Sequence, residues 1–332
     1  MKPATPLRSG PVSCRLLPLN LFDRADRVHR PQCLEPGRSS ATLAGLNIIK
    51  MSKNLFNSIV IIDFIPDGEI NTARRLLEDL DTNARPFAEE LQTDYFRTES
   101  LSEFKNVIQE LILNLQTKRI FPLLHFEGHG LTDKSGIAFP NGNICSWIEF
   151  NQIITPLNIA MGLNLMIVMA TCYGSSLAKF IQVNEKAPLW GLIGPTEEIY
   201  PPKLQGDFLS FYRTFFEKSS TSLAINALNS TSSENFYFRT TAKEFFIHVW
   251  RRYKQDFFTD ENILKRARKM YRDEKSKNTQ RVQSVGYYKR LLKNTNIEKN
   301  IFDKIRETYF MYDLYPSNKS RFSISYKDVN EL

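Results

Sequence analysis

Two stretches decide the fold: Leu123-Leu124-His125-Phe126-Glu127-Gly128-His129-Gly130 and Leu165-Met166-Ile167-Val168-Met169-Ala170-Thr171-Cys172-Tyr173-Gly174. Each is an apolar run that passes directly into a small, glycine-bearing loop. Runs of this length and continuity fit strands buried on both faces. Working outward from them, Ser58 to Ile65 is another such run, closed by the turn residues Pro66, Asp67 and Gly68. Asn71 to Asp81 carries Ala73, Leu76, Leu77 and Leu80 at a helical period. Asp94 to Arg97 reads as a short strand. Ser102 reads as the N-cap of a helix whose buried stripe is Phe104, Val107, Ile108, Leu111 and Leu115. Ile120 to Phe126, Asn164 to Ala170 and Leu189 to Ile193 read as further strands, with helices at Ser175 to Val183 and Phe208 to Lys218. Alternation of this kind implies right-handed crossovers and a mostly parallel sheet covered on both faces, an α/β fold.

In such sheets the functional loops lie beyond the carboxyl ends of the strands. The two quoted stretches therefore present His129 and Cys172 at one edge, and neighbouring strands would set the two side chains facing each other. A thiol is a poor nucleophile until it is deprotonated. An adjacent imidazole takes that proton and later returns it to a leaving amine. A developing oxyanion needs N–H donors, for which the backbones of Gly130 and Cys172 are the candidates. Taken alone, a cysteine after an apolar strand is usually a small buried hydrophobe, and His-Gly is usually a turn; order, spacing and strand-end position together favour chemistry. His125 lies inside the strand and reads as a satisfied core histidine. A zinc site from His125, Glu127 and His129 lacks the HExxH helix that would favour it. Cys145 follows the Asn141-Gly142 turn with no strand leading into it, and reads as structural or as a redox bystander.

The motifs HFEGHG (125–130) and ATCYG (170–174), in that order, resemble the two catalytic motifs of the caspase-like cysteine peptidases. They are separated by 43 residues from His129 to Cys172, near the ~50 typical of caspases. The resemblance is closest to the CHAT branch, the bacterial and separase-related relatives. It extends over Trp190-Gly191-Leu192-Ile193-Gly194-Pro195, Phe208 to Tyr212 and Ala224 to Leu228, covering about residues 55–230. It implies a caspase-like αβα sandwich and peptide-bond hydrolysis through a thioester. It implies His129 as base, Cys172 as nucleophile, the Gly130 and Cys172 backbones as oxyanion donors, and no cofactor or metal. In separase-like relatives an acidic residue after the fifth strand lines the pocket for the residue before the cut. Glu197 and Glu198 fall at about that place, and either would suit a basic P1 residue; solvated loop glutamates are the plain alternative. Caspases carry Gln-Ala-Cys where this chain has Ala170-Thr171-Cys172, so caspase-type preference for aspartate is not implied. Glu127 stands where the family often has a small residue. Bacterial relatives serve programmed cell death or phage defence, including cleavage of gasdermin-like proteins.

The chain of 332 residues, 42% hydrophobic and 24% charged, can bury a large core. No apolar run approaches the ~18 residues of a membrane span. Four cysteines are too few and too scattered for a disulfide framework, so a reducing cytoplasmic setting is expected. The net charge of +8 is uneven: residues 239–306 hold 19 basic against 8 acidic residues, and residues 1–50 hold 8 against 3. The expected organisation is a disordered or artefactual extension at 1–50, with translation starting at Met51 and a transit peptide as the other reading. A protease domain at 51–235 and a basic, mainly helical region at 236–332 would follow. Ser317 to Tyr326 reads as a terminal strand or ordered tail. The expected partner is a protein substrate, with a regulatory protein docking on the C-terminal helices. The competing classes are a catalytically silent scaffold and a nucleic-acid-binding adaptor, the latter from the basic segment with its interleaved aromatics. Charged helical faces are more often simply solvated.

Overall fold

The structure, a computed structural model, describes residues 56–83, 91–218, 220–230, 236–276 and 282–330. The chain divides into two compact units, Met1–Ile48 and Ile49–Leu332, and every described residue belongs to the second; the reading of residues 1–50 lies outside them. In chain order the first elements are β1 (Ser58–Asp63), α1 (Thr72–Asn83), β2 (Gln92–Arg97), α2 (Leu101–Lys118) and β3 (Pro122–Gly130). A hairpin of β4 (Gly136–Ala138) and β5 (Ile144–Ser146) leads into α3 (Trp147–Ala160). Then come β6 (Met166–Thr171), a 3₁₀ helix (Gly174–Phe180), β7 (Gly191–Pro195), α4 (Pro201–Lys218), α5 (Thr221–Asn229) and β8 (Tyr237–Thr241). The remainder is helical: α6 (Ala242–Phe257), α7 (Asp260–Ser276), α8 (Val285–Leu292), α9 (Thr295–Tyr309), α10 (Asn318–Arg321) and α11 (Tyr326–Asn330).

The main sheet runs β2-β1-β3-β6-β7-β8. All its pairings are parallel except β7 with β8. The near-continuous apolar composition of the central strands has a direct cause. Successive side chains point to opposite faces, and both faces are covered. Val60 and Ile62 of β1 join Leu124, Phe126, Ile167 and Met169 in the layer formed with α2, α3, α6 and α9. Ile59 and Ile61 join Leu123, Met166, Val168 and Ala170 in the opposite layer, against α1, α4 and α5. The result is three layers, α over β over α.

The ends of elements differ from the sequence reading in ways that have local causes. The α2 cap is Ser100, not Ser102: Ser100 is extended (φ −142°) and its hydroxyl accepts the Glu103 N–H at 3.2 Å, while the Glu103 carboxylate accepts the Glu99 N–H at 2.8 Å. That reciprocal arrangement satisfies one first-turn donor and the N–H just before the cap, and it outcompetes a cap two residues on. The segment after Cys172 is a 3₁₀ helix rather than an α-helix running to Val183. Ser317 to Tyr326 forms no strand; α10 lies within it and Tyr326 opens α11, Tyr312 Oη donates to the Phe322 carbonyl, and Phe322 and Ile324 pack into the core. Cys145 sits in β5, fully buried. Residues beyond 235 share the main core: β8 is a sheet strand, and Phe246, Trp250, Phe302, Tyr309 and Phe310 belong to the same buried cluster as Val60 and Ile167. Among the described residues, α7 and α8 form a satellite, packed through Ile263, Ala267, Tyr288 and Leu292.

Candidate active site

The parity of β3 explains the site. Leu123, His125, Glu127 and His129 point to one face, that of α1 and α4, and the polar members find polar partners there. His125 is fully buried; its Nδ1 lies 3.0 Å from Tyr212 Oη and its Nε2 3.0 Å from Glu127 Oε1. Burial pushes the Tyr212 hydroxyl well above its ordinary pKa, with the Glu127 charge adding to it, so Tyr212 stays a neutral donor. The other Glu127 oxygen accepts from Thr72 Oγ1 at the start of α1. His125 is therefore a structural histidine with both nitrogens partnered, and the unusual Glu127 is the group that satisfies it.

The parallel register of β3 with β6 pairs Leu123 with Met166, His125 with Val168, Glu127 with Ala170 and Gly128 with Thr171. One step further along both strands stand His129 and Cys172. They lie at the same sheet edge, at the ends of neighbouring strands. Gly130 makes the close approach between the two tips feasible. A Cβ at that position would fall 1.8 Å from the Cys172 carbonyl oxygen, which only glycine avoids. The imidazole is half-exposed, and the thiol is partly buried rather than sealed in the core.

Each group has a partner of its own. His129 Nε2 lies 2.8 Å from Glu69 Oε2, on the loop between β1 and α1. The Cys172 Sγ receives the Ile199 N–H at 3.5 Å, from the segment after β7. Among the described residues, no hydrogen bond joins the thiol to the imidazole. The Cys172 loop is itself fastened to the β7 side. Tyr173 takes a left-handed conformation (φ 57°), costly for a residue with a side chain. Its N–H donates to the Glu197 carbonyl at 3.1 Å, and its hydroxyl donates to Glu198 Oε1 at 3.1 Å. Lys134 Nζ sits 4.3 Å from the centre of the Tyr173 ring. Glu197 and Glu198 are exposed beside the thiol loop. Burial pushes the Cys145 thiol up to about 12, which leaves it protonated and inert at neutral pH.

The arrangement thus gathers Cys172, His129, Gly130, Glu197 and Glu198 on one edge of the sheet. Sequence reasoning missed Glu69, Tyr173 and the Ile199 N–H. Glu69 carried a usable signal, since the loop after β1 must open on the same edge as those after β3 and β6. The Ile199 contact comes from backbone and leaves no trace in composition. No family model and no curated protein matches the chain.

Proposed function

We propose that this chain is a cysteine endopeptidase with a caspase-like, CHAT-type domain, using Cys172 as nucleophile and His129 as base. The observation that carries the proposal is the register: the parallel β3–β6 pairing ends at Gly128 with Thr171, so His129 and Cys172 are the next residues at the two neighbouring strand ends. The αβα layering, the strand order and the antiparallel β8 at the sheet edge support the same reading. In the reaction, the thiol proton passes to His129 and the sulfur attacks the scissile carbonyl. The tetrahedral oxyanion is held by the Gly130 and Cys172 N–H groups. Collapse breaks the C–N bond, the amine leaves with the proton from His129, and water hydrolyses the resulting thioester. Glu197 and Glu198 beside the thiol loop favour a basic P1 residue. The substrate is a protein, as in relatives that act in bacterial defence or cell death, and the setting is cytoplasmic.

A catalytically silent scaffold is the second reading, favoured by the thiol's bond to Ile199 in place of the imidazole. Catalytic hydrogen bonds are often long or misaligned without substrate and tighten in the complex, so the first reading stands ahead. A panel of short fluorogenic peptides with varied P1 residues separates the two. The parent is expected to cleave after Arg or Lys, Cys172→Ala to lose more than ~10³-fold in rate, and Cys145→Ala to match the parent. Equal rates for Cys172→Ala and parent would end the peptidase reading. Cleavage after acidic or aliphatic residues would end the assignment of Glu197 and Glu198.

A further inference from the structure

We infer that Glu69 is a positioning residue for His129, extending the proposed dyad to a Cys172–His129–Glu69 triad; the inference rests on the peptidase reading above. A carboxylate only accepts hydrogen bonds, so the 2.8 Å contact with Nε2 assigns the imidazole's proton to Nε2. Nδ1 then carries the lone pair and is the nitrogen that takes the thiol proton. When it does, the S–H bond breaks, an Nδ1–H bond forms, and the ring becomes an imidazolium beside an ionised carboxylate. Glu69 itself neither gains nor loses a proton; it holds the tautomer and the ring direction.

The loop that carries Glu69 is built to hold it in place. Asp63, fully buried at the end of β1, accepts from the Ile65 N–H at 2.7 Å, from Asn71 Nδ2 at 2.7 Å and from the Tyr95 hydroxyl, and pairs with Arg97 Nη1 at 3.4 Å. The same Arg97 reaches Asp67 Oδ1 at 2.7 Å. Gly68, at φ +85° with open space around its α-carbon, supplies the reversal that a residue with a side chain adopts only under strain, and the Glu69 N–H closes on the Pro66 carbonyl at 3.4 Å. Asn71 then accepts the Arg74 N–H at 2.7 Å in the first turn of α1. Glu69 therefore sits between two fastened points, two residues from each.

An exposed pair of this kind contributes little to stability, and Glu69 and His129 are 48% and 53% exposed. Substitution at Glu69 is accordingly read in chemistry rather than in folding. The test uses the full chain carrying Cys14→Ser and Cys33→Ser, with iodoacetamide at neutral pH as the probe and peptide mapping to follow Cys172. With the parent as reference, His129→Ala is expected to slow alkylation of Cys172 about tenfold or more, because the thiol loses the acceptor for its proton and less thiolate forms. Glu69→Ala is expected to slow it severalfold with an unchanged unfolding midpoint. Glu69→Gln, which keeps an acceptor for Nε2–H but not the charge, should fall between. A rate for Glu69→Ala equal to the parent, with His129→Ala slow, would overturn the role of Glu69 and leave the dyad intact. A faster rate would also overturn it, showing that the carboxylate parks the imidazole away from the thiol. If His129→Ala matched the parent, the peptidase reading would fall together with this inference.

Discussion

At the residue scale the tightest constraint is Gly130. Its α-carbon lies so close to Cys172 that one methyl group would overlap the Cys172 carbonyl oxygen. Gly130→Ala must therefore push the two strand tips apart. Overpacking of this sort costs about 1–3 kcal/mol, and here the displaced atoms include the backbone of the proposed nucleophile, Cys172. The expected outcome is a urea midpoint lowered accordingly and peptide cleavage reduced far beyond what the lost stability explains. A Gly130→Ala protein with parental activity would show that the tips are not required to meet. Cys145 offers a contrast within the same chain. Its thiol, raised by burial to about 12, should resist iodoacetamide in the folded protein at pH 8 and react only after unfolding. The sign follows from linkage. The folded state holds this proton more tightly than the unfolded one, so the associated stability is complete below the ordinary thiol pKa and is lost as pH climbs toward 12.

At the element scale the loop after β1 depends on Asp63. A carboxylate with no exposure, accepting from a backbone N–H, an amide and a phenol and paired with Arg97, leaves several donors unsatisfied when removed. Asp63→Ala is expected to destabilise the chain by about 3–5 kcal/mol, the usual cost of leaving the partner of a buried pair uncompensated. Denaturant unfolding measures it, and a loss below about 1 kcal/mol would contradict the role given to Asp63. The strands were legible because continuous apolar runs such as Ser58 to Asp63 can be covered only by helices on both sides. His129 and Cys172 were legible because they follow such runs directly. The helix caps were less so. Ser100 and Ser102 are equally good capping residues by type, and Glu103 decides between them through a side-chain bond to Glu99 N–H. β8 was hidden for a different reason. Tyr237 to Thr241 buries only Tyr237 and Thr240, with two exposed residues between them, at a sheet edge, and five residues without a clean alternation do not stand out from an aromatic-rich helix onset.

At the scale of the whole molecule, the C-terminal third is part of the fold's foundation. Phe246 and Trp250 of α6 and Phe302 and Tyr309 of α9 pack in one buried cluster with the central strands, and β8 completes the sheet beside β7. A chain cut after residue 235 would expose those faces of the sheet, so it is expected to aggregate or to lose cooperative unfolding in urea; a soluble 56–235 fragment with a sharp transition would contradict this. Part of the basic charge of that third is turned outward: Lys265, Arg268, Lys269, Arg272 and Lys275 are exposed along α7, while Ile263 and Ala267 pack with α8. The proposed site needs the β3 and β6 tips held in register by this shared core. The most direct test of that claim is to treat the chain with a panel of peptidyl chloromethyl ketones of varied P1 residue and locate the adduct by peptide mapping. The account predicts a single adduct on Cys172, formed far more slowly when His129 is replaced by Ala. Labelling of Cys145, or of Cys172 at the same rate without His129, would contradict it.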